Sequence, residues 1–130
     1  MKKINVVAAV LRNEKNEILC ALRSPTMSMP NLWEFPGGKI EQGELPEEAL
    51  IREIKEELDC KIQVFDLIEE AEHKYPSVIV RLLTYNAKIV SDSPKAKEHA
   101  KLEWKTLDAL RSLKWAPADI PTVEQILEGF

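Results

Sequence analysis

The segment from Pro46 to Leu58 constrains the fold of this chain more than any other part of the sequence. It has no internal glycine, and its proline is followed by Glu47 and Glu48, whose charges suit the positive dipole end of a helix. With successive residues about 100° apart, an apolar group separates from an acidic one (Leu50, Ile51, Ile54 and Leu58 against Glu53, Glu56 and Glu57). We therefore predict an α-helix with one face toward a core and one carboxylate face.

The acidic face has two interpretations. Like charges three and four residues apart on a helix repel each other by roughly 0.2–0.5 kcal/mol per pair, and a hard cation would turn that repulsion into coordination. The alternative is an ordinary solvated acidic face, because glutamate is abundant here and favours helices.

Residues upstream of this helix favour the first interpretation. The fixed positions follow the spacing G-x5-E-x7-R-E-[apolar]-x-E-E (Gly38, Glu44, Arg52, Glu53, Ile54, Glu56 and Glu57). This is the Nudix box, and the chain resembles the Nudix family here. Residues 32–41 and 116–121 look like the MutT-type branch, so the resemblance covers nearly the whole chain. The family pattern has a glycine where this chain has Asp59, and aspartate tolerates the left-handed cap conformation better than most residues.

The resemblance implies an α+β fold, with a mixed β-sheet flanked by helices in an α/β/α sandwich and the box helix beside a phosphate-binding cleft. A length of 130 residues, of which 45% are hydrophobic, suits one domain spanning residues 1–130. Apolar runs and turn residues predict the other elements. These are a hairpin of strands 4–11 and 18–22, a loop at 24–31, a strand at 33–40 interrupted by Pro36-Gly37-Gly38, strands at 60–67, 78–90 and 101–105, and helices at 107–113 and 121–127.

The resemblance also implies Mg2+ or Mn2+ as cofactor. Its ligands would be Glu53, Glu56, Glu57 and the carbonyl of the residue at Gly37. Glu98 matches a position where similar enzymes carry a further acidic residue, which ligates metal or helps to deprotonate water; an ordinary loop carboxylate is the alternative, and Glu103 is a rival. With Glu53 and Glu98, the box residues Arg52 and Glu44 complete the candidate catalytic set, in which Arg52 orients the neighbouring carboxylates.

Five further residues are candidates for substrate binding: Arg23, Phe35, Lys39, Tyr75 and Asp119. Arg23 and Lys39 suit phosphate, although each is equally a surface cation. Phe35 and Tyr75 can stack on a base, with core packing as the alternative for Phe35. Asp119 either reads a nucleobase edge or caps the following helix.

The resemblance implies metal-dependent hydrolysis of (deoxy)nucleoside triphosphates to the monophosphate and pyrophosphate, with attack at the β-phosphorus as in similar enzymes. Cytosine or modified nucleotides are the expected substrates, since residues 116–121 look like the CTP pyrophosphohydrolase branch. One alternative is an 8-oxo-dGTP diphosphatase that cleans the nucleotide pool. An alternative of another class is a non-catalytic nucleotide-binding module, and the blandest is an acidic interaction domain. Whether Glu53 or Glu98 is the general base stays open.

Charge and hydropathy limit the binding partners and the cellular location that we expect for this protein. A net charge of −4 with scattered basic residues argues against duplex nucleic acid and leaves a small nucleotide as the partner. No apolar run approaches the ~18 residues of a membrane span, and the start lacks a secretory layout, so we expect a cytoplasmic protein that does not bind membranes. The oligomeric state stays open. Cys20 and Cys60 are expected to be buried thiols, and Trp104, Trp115, His73 and His99 to be structural or surface residues.

Overall fold

The computed structural model describes residues 1–129 and contains seven strands and three α-helices within that range. The strands are β1 Lys2–Leu11, β2 Ile18–Leu22, β3 Trp33–Glu34, β4 Gly37–Lys39, β5 Lys61–Lys74, β6 Val78–Ser91 and β7 Lys101–Lys105. The helices are α1 Pro46–Leu58, α2 Leu107–Leu110 and α3 Ile120–Leu127, the last preceded by a 3₁₀ turn at Pro117–Asp119.

Two sheets organise these strands. One has the order β4-β1-β6-β5, in which β1 runs parallel to β6 and antiparallel to β4. The other is antiparallel and has the order β3-β2-β7. The predicted mixed sheet is therefore confirmed.

Strand β1 lies at the centre of the packing, with helices on both of its faces. Because successive side chains of a strand point to opposite faces, Val7, Ala9 and Leu11 pack with the apolar side of α1. Ala8 and Val10 belong to a second core with Leu110 from α2 and with Val123 and Ile126 from α3. Burial on both faces explains why β1 is a continuous apolar run. This arrangement is the α/β/α sandwich that the sequence analysis predicted.

Both strands of the predicted amino-terminal hairpin exist, but the prediction that they pair with each other is wrong. Strand β1 pairs with β6 along its length and with β4 at residues 6–8, so both of its edges are occupied there. Strand β2 joins the other sheet, and the two strands share an isolated bridge between Arg12 and Ile18. The turn itself forms, with the Asn13 side chain accepting from the backbone N–H of Glu17. Turn residues therefore predicted the reversal, whereas competition for the edges of β1 decided the partner.

The predicted strand at 33–40 is two strands in different sheets. The break falls at Phe35 and Pro36, and Gly37 and Gly38 lie inside β4 rather than interrupting it. Strand β5 also runs beyond the predicted Leu67 to Lys74, because its alternation resumes after register shifts between Val64 and Glu69. Register shifts of this kind interrupt the alternation of apolar and polar residues, so the sequence pattern does not reveal the full length of the strand.

The remaining predictions hold with small shifts of boundary. The first of the last two helices ends at Leu110 instead of Leu113, and the second begins at Ile120 instead of Pro121. Cys20 and Cys60 are buried free thiols, as expected. Within residues 1–129, no helix combines the length and the apolar character needed to cross a membrane.

Candidate active site

Helix α1 builds the site by separating an apolar face from a charged one. Ala49, Leu50, Ile54 and Leu58 are buried, and Arg52 with its neighbouring glutamates lies on the other side. Ile51, which the helical projection placed with the core residues, is 40% exposed, so that assignment is wrong. The helix ends at Asp59 in the left-handed conformation (φ 55°, ψ 37°), where its N–H donates to Lys55 O. The predicted cap therefore survives without glycine.

Arg52 organises the carboxylates around it. Its Nε and Nη2 donate to the two oxygens of Glu44 at 2.7 and 2.9 Å, which is a bidentate pair. Nη1 donates to Glu53 Oε1 at 2.9 Å and to Glu56 Oε2 at 3.2 Å. This ion pairing lowers the pKa of Glu44 and raises that of Arg52. Glu44 therefore holds Arg52, and Arg52 holds the next two glutamates.

Gly37 and Gly38 are required for close approach. A Cβ on Gly37 would overlap the carbonyl oxygen of Val7, and one on Gly38 would overlap the carboxylate of Glu53. Neither glycine has a positive φ, so close approach and not a left-handed backbone requires them. Strand β4 can therefore lie directly against α1, with Gly38 beside the carboxylate of Glu53.

Glu57 lies in an environment that disfavours its negative charge. Its Oε2 is buried without a hydrogen-bond partner. Desolvation raises its pKa to about 7, and Glu53, Glu34 and Glu98 add to the rise while His99 opposes it. An unsatisfied buried carboxylate oxygen is costly, and a bound cation is one group that can satisfy it.

We expect the metal-free protein to lose stability through Glu57 as pH rises from 4.5, the ordinary pKa of a glutamate, to about 7. In this interval the folded chain keeps a proton that the unfolded chain has released, so the free energy of unfolding falls with pH and then levels off. Thermal melts in chelator from pH 4 to 8.5, comparing the wild type with Glu57→Gln, isolate this group. The stability gained by the variant should be absent at low pH and complete above neutrality. A difference that does not change with pH would contradict the buried environment of Glu57.

A cleft of about 620 Å³ opens beside this acidic face. It brings together eight of the candidates named from the sequence, namely Gly37, Glu57, Glu98, Arg23, Phe35, Lys39, Tyr75 and Asp119. Glu98 is exposed at its edge, on the loop between β6 and β7. Glu44, Arg52, Glu53 and Glu56 are not part of its lining and lie along α1 and the loop that precedes it. In residues 1–129, no three acidic, histidine or cysteine side chains already converge as a metal-ligand set.

Two residues of the cleft were missed in the sequence. Glu34 accepts from Arg23 Nη1 at 2.7 Å and from His99 Nε2 at 2.8 Å. His99 is 7% exposed, and its Nδ1 has no partner, so its classification as a structural or surface residue overlooked a polar atom buried in the cleft wall. Glu34 could have been noticed as a charge beside the box glycines. Nothing local marks His99, because its partner lies 65 residues away.

The far wall of the cleft holds the candidates for base recognition. Asp119 directly precedes α3, but its side chain makes no cap hydrogen bond. Its Oδ1 instead accepts from the Phe35 backbone N–H at 3.2 Å, so the helix-capping alternative is wrong. Burial raises the pKa of Asp119 well above its usual range. The Phe35 ring packs on Trp115 at 4.7 Å and is 3% exposed, in keeping with the core-packing alternative.

Two substrate candidates are already engaged by the protein. Arg23 also donates from Nε to the Ser28 carbonyl at 2.6 Å, which fixes its guanidinium along the cleft wall. Tyr75 accepts from the Ala118 N–H through its hydroxyl at 3.2 Å, and its ring meets His73 edge-on at 4.6 Å. Lys39 is exposed, and its carbonyl accepts from Arg52.

Comparison with known proteins bears on the family to which this chain belongs. The family model of the NUDIX domain matches residues 2–126. The chain is 36% identical over 126 residues to the 8-oxo-dGTP diphosphatase of Escherichia coli strain K12, covering 97% of this chain and 98% of that protein. It is 33% identical over 127 residues to the CTP pyrophosphohydrolase of the same strain, covering 98% and 93%.

Among solved structures, the MutT protein of methicillin-resistant Staphylococcus aureus 252, a Nudix hydrolase, is 47% identical with a TM-score of 0.81 and full coverage of both chains. The match of sequence and fold therefore covers the full length of the chain. The chain belongs to the Nudix hydrolase family, on its MutT-like branch.

Proposed function

We propose that this Nudix hydrolase cleaves (deoxy)nucleoside triphosphates to the nucleoside monophosphate and pyrophosphate, with Mg2+ or Mn2+ as cofactor. The observation that carries the proposal is Glu57, whose unpartnered oxygen lies in a cleft that Glu98 also lines. A triphosphate carries about four negative charges, so an acidic cleft can hold it only if bound cations neutralise both sides.

The donor set fits a hard divalent cation. Carboxylate and carbonyl oxygens are the ligands that Mg2+ prefers, and residues on α1, β4 and the β6–β7 loop supply both kinds. The residues that would hold it are Glu53, Glu56, Glu57, Glu98 and the carbonyl of Gly37. When bound, the cation supplies charge neutralisation for the phosphates and acidifies water.

The protein's own residues then divide the work. Glu44 holds Arg52 in place. Arg52 in turn donates to both Glu53 and Glu56 and offsets the repulsion between these two carboxylates. Arg52 already occupies one oxygen of Glu53, whereas Glu98 is exposed at the cleft edge. This difference favours Glu98 over Glu53 as the group that removes the proton from the attacking water.

Arg23 and Lys39 provide the positive charges that line the cleft beside these carboxylates, and we assign them to the phosphates or the sugar. Tyr75 is only half-buried and offers the aromatic surface for a base, since the Phe35 ring is already covered by Trp115. We assign Asp119, which is held by the Phe35 N–H and lines the cleft, to the polar edge of that base.

Two base preferences compete within this proposal. The relatives include an 8-oxo-dGTP diphosphatase at 36% identity and a CTP pyrophosphohydrolase at 33% identity, which does not separate them. We propose cytosine nucleotides as the preferred class because Asp119 has an oxygen left to accept from an exocyclic amine. A purely nucleotide-binding module is disfavoured, since every charged position of the box is present.

The reaction is tested by adding Mg2+ or Mn2+ to chelator-treated protein with ordinary, methylated and oxidised nucleoside triphosphates. We expect metal-dependent release of pyrophosphate, because the cation completes the site. In 18O-labelled water, mass spectrometry should find the label in pyrophosphate, as attack at the β-phosphorus requires. Label in the monophosphate would reject the attack site, and binding without hydrolysis would favour the binding module.

A further inference from the structure

The loop between β6 and β7 carries Glu98, and its backbone is fixed at two points. The Lys95 N–H donates to the Leu58 carbonyl at the end of α1 at 2.8 Å, and the Ala100 N–H donates to the Leu22 carbonyl on β2 at 2.9 Å. Between these points Glu98 is exposed, whereas the next side chain, His99, points inward and is 7% exposed. The loop thus has one buried side chain beside its candidate catalytic one.

The buried side chain of His99 is hydrogen-bonded to a carboxylate. His99 Nε2 lies 2.8 Å from Glu34 Oε2, and the other oxygen of Glu34 accepts from Arg23 at 2.7 Å. Hydrogen bonds to a charged group in a buried place are stronger than neutral ones, so this link resists rotation of the loop backbone. The peptide unit between Glu98 and His99 is planar, so fixing the His99 ring also restrains the backbone at Glu98. This restraint limits the directions in which the Glu98 side chain can point.

We propose that His99 is a positioning residue that keeps Glu98 directed into the cleft by binding Glu34. This inference rests on the proposed function, in which Glu98 acts on the attacking water. The same link connects Glu98 to Arg23, the candidate phosphate contact, through Glu34. The cleft wall at Arg23 and the β6–β7 loop at Glu98 are therefore joined by hydrogen bonds through Glu34 and His99.

The test compares His99→Leu, which keeps most of the volume but has no donor, with His99→Gln, whose amide can donate to Glu34. In His99→Leu we expect kcat to fall by roughly five- to tenfold with KM changed by less than about twofold, and in His99→Gln a return to within about twofold of wild type. Hydrogen exchange of the amides at 96–100 in metal-free protein should accelerate in the leucine variant and not in the glutamine variant. If His99→Leu fails to fold, His99→Asn serves instead, because its shorter amide does not reach Glu34.

A double-mutant cycle with Glu98→Gln separates positioning from general damage. When Glu98 is already disabled, adding His99→Leu should cost less than about twofold in kcat. Thr122→Val is the matched control, since it removes a buried hydrogen bond to Thr84 at 3.1 Å outside the cleft lining and should change neither kcat nor loop exchange.

Equal losses from His99→Leu in both backgrounds, or unchanged loop exchange, would overturn the inference. Wild-type turnover of Glu98→Gln alone would instead remove Glu98 from the proposed mechanism, and exchange at 96–100 would still report whether His99 anchors the loop.

Discussion

We expect Glu57→Gln to lower kcat by about 10³-fold at saturating nucleotide while the protein stays folded. The substitution removes one ligand charge from the site that must neutralise the triphosphate, and charge stabilisation by a bound cation contributes several kcal/mol to such reactions. The fold is spared because Glu57 Oε2 has no protein partner to lose. Removing the buried charge also relieves repulsion from Glu53 on the same helix face.

The measurement is steady-state pyrophosphate release over a range of Mg2+, together with melting temperatures in chelator. Above pH 7 the variant should melt at or above the wild-type temperature, which excludes misfolding as the cause of lost activity. Glu47→Gln, in the exposed first turn of the same helix, is the matched control and should keep wild-type turnover. Near wild-type turnover of Glu57→Gln at low Mg2+ would remove Glu57 from the metal site.

We expect Asp119→Asn to lower the ratio of kcat/KM for CTP to that for 8-oxo-dGTP by about tenfold or more. This change corresponds to the loss of one buried polar contact. One oxygen of residue 119 is held by the Phe35 N–H, so in the variant the amide oxygen takes that place and the NH2 faces the cleft. An NH2 group repels the exocyclic amine of cytosine, but it can donate to the O6 of 8-oxoguanine.

The comparison needs both nucleotides at sub-saturating concentrations, with the melting temperature recorded beside them. Stability should not fall, since the Asp119 side chain does not cap α3 and the amide removes a desolvated ionisable group. Asp119→Ala is the companion variant and should weaken both substrates, because alanine offers neither base a donor or an acceptor. A ratio that stays constant in Asp119→Asn would exclude residue 119 from base reading and end the cytosine assignment.

The sequence by itself determined the parts of this protein that depend on short-range pattern. The helix at 46–58 follows from its apolar spacing, its proline start and its acidic first turn, and its bounds match the structure residue for residue. The left-handed cap at Asp59 follows from the same local rules. The spacing of glycine, arginine and glutamates identified the family, and residues 2–126 match it.

Only the tertiary structure decided which distant segments meet. Strand β2 left its expected partner because β6 and β4 occupy the edges of β1, and β6 lies more than 60 residues further along the chain. Gly38 is needed because Glu53 lies against it, Asp119 bonds Phe35 across 84 residues, and His99 reaches Glu34 across 65. Periodicity and propensity act over a few residues, whereas burial and the pairing of buried polar groups act through space, so no local pattern could have assigned these contacts.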